Sequence, residues 1–294
     1  MNKIGIDLGG TKVEGIVIDE QGNELFRKRL PNGKENGYDF IIATMTQLYE
    51  ELKAVAGSQY TVGVCTPGCI DKTNGKLKNC NIMSMNGHPL LKDLSDRFQH
   101  DLIIENDANC FALAEAKLGA GKGKGLVFGV ILGTGVGGGI VYEGKVIRGL
   151  REAAGEWGHS TINFDNGPKW TRGVNGVVEA YLSGTGAAAL YQEATGRKMS
   201  MEEIITAYHT GDKQAADFMD NFLEWYGISI SNIIKFLDPD VIVLGGGVSN
   251  IDELYTLGAE RIAKYNLNNE LYTPVVKNQY GDSAGVFGAA LTGV

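Results

Sequence analysis

The sequence predicts an α/β fold of two similar lobes. The first observation is a strand–turn–strand pattern that occurs twice. Ile4-Gly5-Ile6-Asp7-Leu8-Gly9-Gly10-Thr11 runs into Gly15-Ile16-Val17, and Phe128-Gly129-Val130-Ile131-Leu132-Gly133-Thr134-Gly135 runs into Gly139-Ile140-Val141. The second is that each copy joins a β-branched strand, a tight glycine turn and another apolar strand, in that order. The third is compositional. The chain holds 42 glycines in 294 residues, against a usual share of about 7%, and they gather at strand ends. Glycine in such a turn lets backbone N–H groups approach an anion that any Cβ would obstruct. Two such turns imply two lobes gripping one polyphosphate from opposite sides, as in a nucleotide-dependent phosphotransferase.

The remaining elements follow in order. Residues 3–30 read as three strands, with turn chemistry at Asp19-Glu20-Gln21-Gly22-Asn23. Phe40, Ile41, Met45, Leu48, Tyr49, Leu52 and Val55 recur at helical spacing, which predicts a helix over 38–56. Val62–Cys65 is a strand ended by Thr66-Pro67-Gly68, and Leu102–Glu105 is another. Asn106-Asp107-Ala108-Asn109 then caps an alanine-rich helix that reaches about Leu118. The second lobe repeats the order, with strands near 126–132, 136–143 and 145–148 and long helices over about 176–194 and 212–237. Asp240–Leu244 is a strand that ends in Gly245-Gly246-Gly247, with a helix near Asp252. Ser283–Leu291 reads as a small-residue helix that packs closely and returns to the first lobe. No low-complexity linker intervenes, so the boundary falls near 106–125. That assigns 1–107 with about 280–294 to a small N-terminal lobe and 108–279 to a larger C-terminal lobe.

Composition excludes several classes. The formal net charge is -8, and nucleic-acid binding as a main task asks for a basic footprint instead. With 43% hydrophobic residues the chain can bury two cores. No apolar run reaches the roughly 18 residues of a membrane span. The chain opens directly on a strand without a signal peptide, so a cytoplasmic location is expected. Cys65, Cys69, Cys80 and Cys110 are read as reduced thiols.

The motifs together resemble the actin-like (ribonuclease H-like) sugar kinases, whose two lobes close around a central nucleotide and sugar cleft. Asp7-Leu8-Gly9-Gly10-Thr11-Lys12 resembles their first phosphate element, Gly133–Gly139 the second, and Gly245-Gly246-Gly247 the turn on the adenosine side. More narrowly, the chain resembles the ROK family over essentially its whole length. Glu105-Asn106-Asp107-Ala108-Asn109 matches that family's catalytic segment and Gly155-Glu156-Trp157-Gly158-His159 its sugar-binding segment; Thr66-Pro67-Gly68, Asn79-Cys80-Asn81 and Asn86-Gly87 also fit. The likeness is taken to be greatest to bacterial fructokinase and mannokinase members. A Walker-type P-loop is not supported.

The resemblance implies ATP and Mg²⁺ as cofactors and a hexose substrate. Phosphoryl transfer needs a held γ-phosphate, a neutralising cation and a group that orients the hydroxyl and takes its proton. Asp107 is the candidate for the last, at a helix start that keeps its carboxylate ionised. Asp7 is the expected Mg²⁺ ligand, through water. Gly9, Gly10, Thr11, Lys12, Gly133, Thr134, Gly135, Gly137 and Gly245–Gly247 are the nucleotide-binding candidates. Asn81, Asn106, Asp107, Glu156, His159 and Glu179 are the implied sugar ligands; a buried sugar needs each hydroxyl matched, at about 1–3 kcal/mol for each unmatched group. A homodimer is implied by resemblance alone.

The family's zinc site is broken. Where three cysteines are typical, this chain carries Trp170, Arg172 and Val177; only His159 of the four ligands remains, and one imidazole cannot hold a structural zinc. The expectation is that Trp170 and Val177 fill the space with apolar packing and that Arg172 turns outward or pairs with a carboxylate. The leading reading is an ATP-dependent hexose kinase acting on fructose to give fructose 6-phosphate, with mannose as a second sugar. The alternatives are a glucokinase or N-acetylglucosamine kinase, and a non-catalytic sugar-binding relative. A repressor asks for an added N-terminal helix-turn-helix, for which this sequence leaves no room, and an actin-like chaperone or filament ATPase leaves Glu156 and His159 unexplained.

Overall fold

A computed structural model describes residues 1–169 and 174–293. They form two units: 1–122 with 139–154 and the chain from 282 onward, and 123–138 with 155–281. In unit 1, β1 (Asn2–Leu8), β2 (Lys12–Ile18) and β3 (Glu24–Pro31) make an antiparallel meander. The helix α1 (Tyr38–Ala56) leads to β4 (Tyr60–Thr66), parallel to β1. A small ribbon of β5 (Cys69–Ile70) and β6 (Leu77–Lys78) follows, then α2 (Leu90–Phe98), β7 (Ile103–Asn106) parallel to β4, and α3 (Asp107–Lys117). The sheet order is β3-β2-β1-β4-β7.

The later chain contains β8 (Leu126–Leu132), β9 (Val136–Tyr142), β10 (Lys145–Val146), α4 (Val178–Leu182), α5 (Gly184–Thr195), α6 (Met201–His209) and α7 (Lys213–Leu237). Then come β11 (Val241–Gly245), α8 (Leu257–Tyr265), β12 (Val275–Lys277) and α9 (Ala284–Thr292). Its sheet order, β10-β9-β8-β11-β12, reproduces the first: a hairpin side, then two parallel neighbours. The duplicated motif is therefore a duplicated sheet topology.

The core of unit 1 joins Ile4, Ile6, Leu8 and Val64 to Ile41, Met45, Leu48 and Leu52 of α1 and to Leu90, Leu94 and Phe98 of α2. Gly15 of β2 lies under Leu48 and Leu52; a Cβ there would come within 2.6 Å of Leu52. The helix α9 also packs on this sheet, through backbone. Gly5 and Gly63 are register neighbours on β1 and β4, and a Cβ on Gly63 would sit 1.9 Å from the Ala289 carbonyl oxygen. Gly288 approaches the Cys110 carbonyl of α3 equally closely. Several glycines thus serve helix-on-sheet packing, not the turns at strand ends alone.

Several sequence expectations need correction. The helix read over 176–194 breaks at Ser183, whose ψ of 153° is extended and whose hydroxyl accepts the Gly186 N–H at 2.9 Å, capping α5. The helix read near Asp252 is a 3-10 turn at Asp252–Leu254, with α8 beginning at Leu257. The strands β10 and β12 and the helices α2 and α6 are short, and three of these four went unread. Residues 108–122 and 139–154, read as part of the large lobe, pack in unit 1. Gly139 explains part of this: a Cβ there would lie 2.6 Å from the Ala108 carbonyl of α3. Among the described residues no helix is long and apolar enough to cross a membrane.

Candidate active site

The β1–β2 turn is braced from outside itself. Gly9 N–H donates to Lys12 O at 2.9 Å, and the buried Asn32 closes the turn by donating its amide to Gly9 O at 2.8 Å and its backbone N–H to Thr11 O at 3.1 Å. A Cβ on Gly10 would meet nothing within 4 Å, so neither packing nor positive φ asks for glycine there. Close approach by a ligand does. Asp7, at the end of β1, pairs in register with Cys65 of β4 and Glu14 of β2. Burial pushes its carboxyl up to about 6; the Cys65 thiol bonded to it works the other way, and the charges of Asp107 and Glu14 add to the rise. Gly285, next to the start of α9, makes room for this carboxylate, since a Cβ there would lie 2.6 Å from its Oδ2.

Asp107 is the first helical residue of α3 and is exposed. The cap is Asn106, whose Oδ1 accepts the Asn109 N–H at 2.7 Å. The N-cap is thus Asn106 and not Asp107. Asp107 Oδ1 accepts the N–H of Ala108 at 2.9 Å. Asn81 is exposed in the loop after β6, a loop closed by Asn86, which exchanges two hydrogen bonds with the Cys80 backbone at 2.9 and 2.8 Å. Unit 1 thus carries Asp7, the first glycine turn, Asn81, Asn106 and Asp107.

Unit 2 carries the second glycine turn and a cavity of about 880 Å³ beside it, lined by Gly133, Thr134, Thr185, Ile205, Gly247 and Asp252 among others. Thr185 Oγ1 donates to Thr134 O at 2.6 Å and Gly184 N–H to Gly133 O at 2.8 Å, which ties the start of α5 to the turn. Gly246 needs its positive φ of 83° beneath the Leu132 carbonyl, whereas Gly247 faces open space. Its lining mixes apolar side chains such as Met201, Ile205 and Val248 with polar ones such as Thr134, Thr185, Asn250 and Asp252, and its volume is that of a small-molecule site.

Glu156 precedes and His159 ends a 3-10 turn, Trp157–His159, and the two face each other with His159 Nε2 3.5 Å from Glu156 Oε2. Trp157 is buried; its Nε1–H donates to Gly137 O at 2.8 Å, and Gly158 fits against the Val136 carbonyl. Glu179 of α4 reaches the same residue: its Oε2 accepts the Val136 N–H at 2.7 Å. Gly135 leaves room for it, as a Cβ there would lie 2.8 Å from Glu179 Oε2. The segments that carry Glu156, His159 and Glu179 are therefore gathered at Val136, with Glu179 Oε2 committed to the backbone there.

Residues 3–292 match the ROK family. The chain belongs to the ROK family. It is 38% identical over 296 residues, 97% of each chain, to the N-acetyl-D-glucosamine kinase of Haemophilus influenzae. In structure it is similar to the ROK hexokinase of Thermus thermophilus, with a TM-score of 0.91, 31% identity and 100% and 98% of the two chains covered. It is also similar to a ROK glucokinase of Streptomyces griseus solved with glucose and AMPPNP, at a TM-score of 0.76, 26% identity and coverage of 100% and 99%. The fold is the actin-like ATPase fold of these ROK kinases. The curated relative is named an N-acetyl-D-glucosamine kinase and not a fructokinase.

In this ROK chain the residues that replace the zinc cysteines are only partly visible. Trp170 and Arg172 lie outside the described residues; Val177 is buried at 1% exposure and bridges to Thr161. Among the described residues no group of three or more His, Cys, Asp or Glu could hold a metal ion. The sequence assigns no site role to Asn32, Gly285 or Thr185, because each acts on a residue far away in the chain.

Proposed function

We propose that this protein transfers the γ-phosphoryl group of ATP to a hydroxyl of N-acetylglucosamine. The observation that carries the reading is the start of α3, where Asn106 supplies the cap and Asp107 presents its carboxylate. The full-length likeness to an N-acetylglucosamine kinase supplies the sugar. Asp107 orients the acceptor hydroxyl and takes its proton as the oxygen attacks the γ-phosphorus in line and ADP leaves; a loose transition state does not ask for a strong base. Asn81, Asn106, Glu156, His159 and Glu179 bond the remaining sugar hydroxyls, and the Glu156–His159 contact holds the imidazole in one orientation. The turns at Gly9–Lys12 and Gly133–Gly137 offer N–H groups to the phosphates, and Gly245–Gly247 lies on the nucleoside side. Asp7 fits a hydrated divalent cation, because a partly buried carboxylate repelled by Asp107 gains from a positive partner. Mg²⁺, when bound, neutralises charge on the phosphate oxygens. A soluble cytoplasmic homodimer is part of the same proposal.

The test is a coupled ADP-release assay across N-acetylglucosamine, fructose, mannose and glucose. N-acetylglucosamine should give the highest kcat/KM. A preference for fructose would restore the first sequence reading, and ADP from none of them would favour a sugar-binding relative without catalysis.

A further inference from the structure

The carboxylate of Glu105 is 4% exposed, two residues before Asp107, and is fully engaged. Its Oε1 accepts the Asn106 N–H at 3.0 Å and Asn109 Nδ2 at 2.8 Å, and its Oε2 accepts from Arg148 Nε at 2.7 Å. Asn109 in turn gives its backbone N–H to the Asn106 cap. These bonds fix the residues on either side of Asp107 at the point where strand becomes helix. A buried carboxylate needs a cation, and Arg148 supplies it from the segment after β10, 43 residues away. Arg148 is itself steadied by Glu152, whose Oε2 lies 3.9 Å from Nε and whose other oxygen pairs with Lys72. Glu152 holds a left-handed φ of 58°, a conformation that a non-glycine residue adopts only when its surroundings impose it.

We infer that Glu105 and Arg148 form a positioning pair that sets the backbone of Asp107 and thereby the reach of its carboxylate to the acceptor hydroxyl. Neither residue is asked to touch substrate. The inference rests on the role given to Asp107 above. Asp107 Oδ1 accepts the Ala108 N–H at 2.9 Å, so a frame that fixes the backbone on either side of Asp107 also sets where this carboxylate points. Misplacement by about an ångström costs such a group about a hundredfold in rate.

The experiment compares wild type with Arg148→Met, Arg148→Lys and the double variant Glu105→Gln with Arg148→Met, measuring kcat, KM for each substrate and thermal midpoint. Arg148→Met should lower kcat about ten- to hundredfold, in line with the loss of an outer partner behind a metal ligand, with both KM values near wild type. Arg148→Lys should recover most of that loss. The double variant leaves no uncompensated buried charge and keeps an oxygen for Asn106 and Asn109, so it tests the idea if Arg148→Met does not fold; its kcat should still be depressed. Wild-type kcat in Arg148→Met would overturn the inference. So would a kcat loss matched by a rise in sugar KM, which would make Arg148 a substrate ligand. Wild-type protein without phosphoryl transfer to any hexose would instead remove the functional reading, and the positioning role with it.

Discussion

Asp107 and Asp7 are both carboxylates at the ends of unit 1 strands, and their surroundings give them different properties. Asp107 is exposed at a helix start already capped by Asn106. Replacing it with Asn should leave the fold and sugar binding intact and lower phosphoryl transfer by roughly 10²–10⁴, the usual contribution of a positioned acid or base. A coupled assay beside a sugar-binding titration measures both halves, and near-normal turnover would remove Asp107 from the mechanism. Asp7 has an ordinary value of 3.8 in the unfolded chain and about 6 when folded. The folded state therefore binds more protons between those values. The stability from protonated Asp7 is complete below 3.8 and is lost as pH rises through about 6. Two pKa units correspond to about 3 kcal/mol. In chelator, Asp7→Asn should thus melt higher than wild type above pH 6, with the gap closing as pH falls below 3.8. Parallel melting curves at every pH would place the buried charge elsewhere. The sequence marks both aspartates through their flanking glycine and Asn motifs, but it cannot show that the fold raises the proton affinity of Asp7. That rise comes from burial, with Gly285 set against the carboxylate from far along the chain and the Cys65 thiol opposing it.

Elements show which glycines serve packing and which serve ligands. Gly63→Ala would push a Cβ to 1.9 Å from the Ala289 carbonyl, so β4 or α9 must shift. The expected loss is about 1–3 kcal/mol, the range for overpacking, read as a lower denaturation midpoint at unchanged m-value. Gly10→Ala meets nothing within 4 Å and no positive φ, so the fold should tolerate it within about 0.5 kcal/mol. Its effect should fall on the KM for ATP instead. If Gly10→Ala destabilised the protein as much as Gly63→Ala, the open turn would have a structural purpose and not a ligand. Helical periodicity shows α1 and α7 in the sequence because each exposes one face and buries the other. It misses the break between α4 and α5, since Ser183 looks like any serine inside an alanine-rich helix until its hydroxyl is seen bonded to Gly186.

For the whole molecule, two equal sheet orders support the duplication read from the glycine turns. Loss of the cysteines predicts no stoichiometric zinc on elemental analysis and full recovery of activity when Mg²⁺ follows chelation. One tightly held zinc per chain would overturn that expectation, along with the idea that apolar packing takes the metal's place. By itself the sequence determined the family, the duplicated strand–turn–strand framework and the position of Asp107, because these rest on neighbours within a few residues. Tertiary structure alone decided that Arg148 neutralises Glu105, that Glu179 anchors on Val136, and that α9 lies on glycines of β1 and β4. Those contacts join residues tens to hundreds of positions apart, and which of them meet depends on strand register and helix packing. A local spacing pattern carries no record of either.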